Sequence, residues 1–323
     1  MLIKEFKTLD EQIELLKKRG LIIRDEERAK KYLLSQNYYN IINGYAKFFT
    51  AEGDKYICGT TFEEITSLYV FERELKQALF LTILEAEAHL RSIFSYRFAE
   101  KYKDDPYAYL NLSNYKNDNI DGMLSVIQTI SKISRTIDCY KRRQEEGSII
   151  HYLKKYKYVP IWVLINYLSF GELRTLLEKS PEDIQNNVAR DCMDFVSQNI
   201  QGELEVFHPG TLCSFVANIN EIRNICAHNN RIIGFKCHHD DKYWKPLHSK
   251  YHIVSTDLRR SAYSVFISLQ CFVSQTEYGI LHNTILKRTK TLSRNLRAIS
   301  VNEILLKLGF PEDWHLKEQR LSQ

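Results

Sequence analysis

Between Thr61 and Lys101 the chain runs for more than 35 residues without a glycine or a proline. Apolar residues recur along it, all but the last step three or four apart: Phe62, Ile65, Leu68, Phe71, Leu75, Leu79, Ile83, Ala86, Leu90, Ile93 and Phe98. That spacing predicts one long helix with an apolar stripe. A helix of this length draws its stability from packing rather than propensity, so it is either the backbone of a bundle or kinked. Asp104-Asp105-Pro106 ends it.

The rest of the chain reads as helical too. Only 12 glycines and six prolines punctuate 323 residues, which argues against an all-β design with many tight turns. Leu9 to Arg19 and about Arg24 to Ser35 form two predicted helices, the first stopped by Gly20. A tyrosine-rich stretch, Asn37 to Tyr45, follows, and Gly53 and Gly59 bracket a loop or short hairpin. Further helices are expected at about Met123–Arg143, Ser148–Lys157, after Pro160, after Ser180-Pro181, Gly210–Asn229, Thr256–Gln275 and Val301–Leu308. In Ser180-Pro181 the serine reads as an N-cap with proline at the first helical position. The expected organisation is an N-terminal helical extension (1–60), a helical bundle (61–285) and a basic C-terminal helical tail (286–323).

Bulk properties exclude several classes. The net charge of +5 permits an acidic partner without demanding one. No stretch approaches the roughly 18 apolar residues of a membrane span, so no membrane partner is expected. Met1 to Lys7 has no apolar core of a signal peptide. The seven cysteines are scattered without C-x-x-C pairs, which suits a reducing cytoplasm.

The richest local signal is Glu221-Ile222-Arg223-Asn224-Ile225-Cys226-Ala227-His228-Asn229-Asn230-Arg231. On a helix at about 100° per residue, Phe215, Ile219, Ile222 and Cys226 form a core stripe. Asn224, Ala227, His228 and Arg231 fall on the opposite face, with Arg223 between. A histidine can move protons near neutral pH. An arginine grips phosphate and keeps its charge, and an asparagine orients the imidazole or binds a phosphate oxygen. These groups suffice to cleave RNA through its own 2′-hydroxyl without a metal or cofactor. Acid and base are two jobs, however, and Arg223 and His228 lie about 140° apart on a regular helix. Two copies of the helix across a two-fold axis would supply both.

The same residues resemble a known family. Arg223-Asn224-x-x-x-His228 looks like the signature of the HEPN superfamily, an arginine and a histidine with four to six residues between them. With Arg231 it resembles the bacterial abortive-infection proteins of AbiD/AbiF type. Three other stretches agree: Gln12 to Ile22 with Asn37-Tyr38-Tyr39 and Gly44-Tyr45; Tyr69 to Leu75 with Glu87-x-x-Leu90-Arg91; and Pro160-Ile161-Trp162-Val163 with Leu168-Ser169-Phe170-Gly171. The likeness covers about residues 8 to 235. Asn166 stands where the family often has glutamate, and Asn229-Asn230 replaces the more usual pair after the histidine. The resemblance implies an all-α, HEPN-like bundle and a homodimeric endoribonuclease of phage defence. Arg223, Asn224 and His228 would be its catalytic set, with Glu87, Arg91 and Arg231 in support. It implies RNA as substrate and a small noncoding RNA as a further partner, with no DNA expected.

Other groupings have plainer readings. Glu87 and Arg91, spaced i and i+4, read either as a surface ion pair or as part of the motif's cleft. Cys226, His228, Cys237, His238 and His239 match no ordinary zinc spacing, so no metal is expected there. The basic runs at 141–143, 154–157 and 287–290 read as solvated faces unless they share a groove, where they would suit an RNA backbone. The other functional class this sequence suits is a non-catalytic RNA-binding or scaffold protein.

Overall fold

The computed structural model describes residues 5–51, 54–116, 119–143, 147–202 and 205–322. Met1–Lys4 and Gly53, which entered the sequence reading, lie outside them, as does the Arg143 side chain. The fold is all-α. No strand occurs among the described residues, only two isolated bridges, Ile22 with Thr61 and Thr50 with Tyr56. No helix among them is long and apolar enough to cross a membrane.

In chain order the helices are α1 (Leu9–Lys18), α2 (Glu26–Gln36), α3 (Phe62–Lys101), α4 (Ile120–Arg143), α5 (Ser148–Tyr156), α6 (Ile161–Leu164) and α7 (Phe170–Lys179). They continue with α8 (Glu182–Asn199), α9 (Pro209–Ala227), α10 (Lys245–His248), α11 (Ala262–Ser268), α12 (Gln275–Asn295), α13 (Val301–Leu308) and α14 (Trp314–Lys317). The expected long helix is α3, 40 residues without a break. Its buried face follows the predicted stripe, except that Phe94 rather than Ile93 is inside. That face also buries Glu64, Glu72, Lys76 and Glu87.

The chain forms two compact units, each gathered from separate segments: residues 1–80, 225–235 and 279–323, and residues 81–224 and 236–278. In the first, Leu16, Leu33, Ile41, Phe49, Leu68 and Ile304 form the core. Glu64 accepts from the backbone N–H groups of Arg297 (2.6 Å) and Ala298 (2.7 Å), tying the start of α3 to the segment before α13. In the second, Phe94, Phe98, Tyr109, Phe170, Phe215 and Phe272 are buried. Every residue of α11 is buried; of its two serines, the Ser264 hydroxyl bonds that of Ser261 at 3.0 Å and the Ser268 hydroxyl donates to the Val265 carbonyl at 3.0 Å.

Three expectations are corrected. Ser180 does not cap α8; its hydroxyl donates back to the Leu176 carbonyl at 2.7 Å, and Pro181 takes the cap position. Thr256–Gln275 is not one helix. α11 starts only at Ala262, behind a Ser261–Ser264 capping box. The Arg259 guanidinium holds the segment before it by donating to the carbonyls of Val254, Ser255 and Asp257. Finally, α9 stops at Ala227, not Asn229.

Candidate functional site

The end of α9 sets the geometry of the motif. Asn229 adopts a left-handed φ of 51°, which asparagine tolerates better than most residues. Its N–H donates to the Cys226 carbonyl (3.2 Å), and the Asn230 N–H to that of Ile225 (2.9 Å). These two bonds make a Schellman cap, which satisfies carbonyls that would otherwise lack donors. His228 is the last residue before the left-handed turn, and its side chain is exposed. The helical projection therefore fails beyond Ala227. Arg231 does not share a helix face with Asn224; it lies in the loop, with its guanidinium 5.6 Å from the centre of the Tyr45 ring.

Within the first unit, α3 holds the turn that follows His228. Lys76 Nζ donates to Asn229 Oδ1 at 2.6 Å and to the Asn230 carbonyl at 3.2 Å. One helical turn earlier, the fully buried Glu72 accepts the N–H groups of Ile232 and Ile233, both at 2.8 Å, on Oε1. Its Oε2 accepts the Tyr45 hydroxyl. Burial lowers the Lys76 pKa below the ordinary lysine value, opposed by the Glu72 charge. Burial and then the Glu72 charge push the Tyr45 phenol up. Glu72 and Lys76 thus clamp residues 229–233 by charge-assisted bonds, the stronger kind.

Within the second unit, Glu87 and Arg91 are not a solvated pair. Glu87 is buried, and Arg91 retains 14% of its side-chain exposure. The Arg91 guanidinium donates to Glu87 Oε1 and to the carbonyls of Ile165 and Leu168, the last at 2.6 Å. It staples α3 to the turn after α6. Ser169 then starts α7 through a capping box with Glu172. The other carboxylate oxygen of Glu87 faces Arg223 Nε at 3.8 Å, longer than a hydrogen bond but close enough to orient the half-buried arginine. Asn224 is exposed, its Oδ1 3.5 Å from Arg223 Nη1.

The cysteine and histidine residues around the motif have other occupations. Burial pushes the Cys226 thiol up to about 12, so it stays protonated and poorly suited to nucleophilic or metal chemistry. His238 Nδ1 lies 2.7 Å from Glu221.

The structure thus brings Glu87, Arg91 and Arg223 together in one unit and places His228 and Arg231 in the other. Sequence reasoning missed Glu72 and Lys76 as groups that hold the motif. Their signal is two opposite charges, i and i+4, inside an apolar stripe.

Residues 31–234 match the Abi-like protein family. The chain belongs to that family. The matched span encloses the Glu72–Lys76 clamp, the Glu87–Arg91 staple, the turn it grips and the Arg223-to-Arg231 motif. Membership of the Abi-like family supports a role in abortive infection, a phage-defence response. No curated protein and no solved structure matches the chain.

Proposed function

We propose that this Abi-like protein is an endoribonuclease of the AbiD/AbiF type within the HEPN superfamily, cleaving RNA without a metal at a composite site of a homodimer. The observation that carries the reading is an exposed histidine on a fixed frame. His228 is open to solvent at a capped helix end, and bonds from the buried Glu72 and Lys76 hold the turn beside it.

In the reaction, a histidine takes the proton of the 2′-hydroxyl, and the oxygen attacks the adjacent phosphorus. The P–O bond to the 5′ oxygen breaks, and a protonated histidine, supplied by the second copy, gives that oxygen its proton. The products are a 2′,3′-cyclic phosphate and a 5′-hydroxyl. Arg223, oriented by Glu87, binds the phosphate and stabilises its growing charge. Asn224 orients, and Arg231 supports through its loop.

RNA binding has its own support. Lys141 of α4, Lys154 of α5 and Lys157 just after it line one groove of about 820 Å³, with Tyr107 and one carboxylate, Asp138, among its walls. Three lysines and an aromatic ring suit a single-stranded backbone and an unpaired base. The same groove favours the second reading, a non-catalytic RNA-binding protein, in which a small noncoding RNA is a candidate occupant.

Single-turnover cleavage of a mixed single-stranded RNA pool in EDTA separates the two. Wild type is expected to cut and leave 2′,3′-cyclic ends, while His228→Ala binds RNA equally well and cuts at least about a hundredfold more slowly. Equal background from both proteins refutes the nuclease and leaves the binder.

A further inference from the structure

α3 carries a second polar group on a different side. Glu85 and His89 are one turn apart, and each is two residues from Glu87, a rotation of about 200° on an α-helix. Glu277, in the first turn of α12, joins them. One ligating atom from each of the three lies within 4.8 Å of the others. All three belong to the second compact unit.

The histidine is the informative member. His89 Nδ1 is 2.9 Å from the Phe272 carbonyl oxygen. A carbonyl only accepts, so Nδ1 carries the hydrogen, and in a neutral ring Nε2 offers a lone pair. Nε2 faces Glu277 Oε1 at 3.7 Å. The other oxygen of Glu277 is occupied, accepting the Ser274 N–H and hydroxyl, both at 2.7 Å. The His89 ring is stacked on Phe195, centroids 4.8 Å apart. Residues 272–274 therefore hold both the imidazole and the carboxylate from behind, so that Nε2 and Oε1 face each other, both of them acceptors when the ring is neutral.

With the ring neutral, two acceptors so placed can share a cation between them. We propose that Glu85, His89 and Glu277 form a site for a divalent transition ion, zinc being the best match to one imidazole and two carboxylates. Tetrahedral zinc with bonds of about 2.0–2.2 Å sets its donors roughly 3.4 Å apart. The 3.7 Å between His89 and Glu277 needs only a small closure, and the exposed Glu85 side chain can swing in. The Phe272 carbonyl and Ser274 are the supporting partners that ligating histidines and carboxylates ordinarily have. Water completes the fourth position. The ion would pin the middle of α3 to the start of α12. This proposal is independent of the RNA chemistry proposed for His228.

The test uses chelator-treated full-length protein. Titration with zinc chloride alone is expected to show one ion per chain by calorimetry and to raise the thermal midpoint. Cobalt(II) alone is expected to give visible d–d bands. Glu85→Gln alters an exposed side chain, so its circular dichroism should match wild type while zinc affinity falls about tenfold or more. His89→Gln should abolish the cobalt bands. No zinc binding in excess metal would overturn the site and leave a protonated His89–Glu277 ion pair. Binding kept at full affinity by both variants would overturn it equally, by placing the ion on other residues.

Discussion

Glu72 illustrates how much one buried side chain can organise. It accepts two backbone N–H groups and a tyrosine hydroxyl, and a buried amide left without an acceptor costs about 1–3 kcal/mol. Glu72→Ala strands two of them, so the expected loss is on the order of 3 kcal/mol in urea unfolding. Glu72→Gln keeps one amide oxygen in place and should lose distinctly less; equal losses would mean the amides are held by something else. A second residue fixes a pH dependence. Burial pushes His248 down to about 4, with the Trp244 backbone opposing and Arg259 adding to the shift. Its unfolded value is about 6.5, so between these limits the unfolded chain binds the extra proton. The stability tied to the neutral ring is full above about pH 6.5 and lost as pH falls towards 4, by an amount on the order of 3 kcal/mol. The difference in stability between wild type and His248→Gln should shrink over that window, and a flat difference refutes the assignment. Glu72 entered the sequence reading only within the Tyr69-to-Leu75 stretch of the resemblance, and His248 was not singled out, so neither role was read there. Periodicity locates faces, but it does not tell a buried charge with partners from a solvated one.

Among the elements, α3 was the most legible, because its stripe repeats over many turns and no breaker interrupts it. The end of α9 was less so. The sequence continues with polar residues that suit a helix surface, and the Schellman turn at Asn229 carries no glycine to announce it. The reading of Thr256–Gln275 as one helix failed for another reason. Thr256 to Ser261 are polar but for Leu258, and the mostly apolar run from Ala262 to Val273 has no single face, so only the caps show where helices begin, and the Ser274-x-x-Glu277 pattern that starts α12 was there to be read. The Glu87–Arg91 staple tests how far one element depends on the next. Arg91→Met leaves the Glu87 carboxylate buried beside an apolar chain, and breaking a buried pair by removing one partner costs about 3–5 kcal/mol. Glu87→Gln added to that variant should recover a good part of the loss, since the charge is then gone. A double variant no more stable than Arg91→Met would show that the carbonyls of Ile165 and Leu168, rather than Glu87, account for the value of Arg91. Lysine should not replace it, having no planar fork to bond two carbonyls and a carboxylate at once.

At the scale of the whole molecule, the composition of the two units lay beyond sequence reasoning. Segments as far apart as 1–80 and 279–323 join one unit, and period and spacing carry no record of such long-range packing. The sharing of a groove by basic runs was hidden in the same way. Lys141 lies on α4 and Lys154 on α5, with Lys157 just after it, and they meet only once α4 and α5 pack. This meeting yields a prediction that separates holding RNA from cutting it. Each lysine that contacts a phosphate releases counterions, so log affinity falls with log salt in proportion to the number of contacts. Lys141→Ala with Lys154→Ala should weaken binding of unrelated single strands about uniformly and flatten the salt slope by roughly one unit per lysine. In the same assay His228→Ala should leave both affinity and slope unchanged, because His228 lies outside the groove's lining residues. If the slope is unaltered by the lysine changes, the groove is not the path of the backbone, and the basic lining around Lys287, Lys290, Arg294 and Arg320 in the other unit becomes the next surface to neutralise.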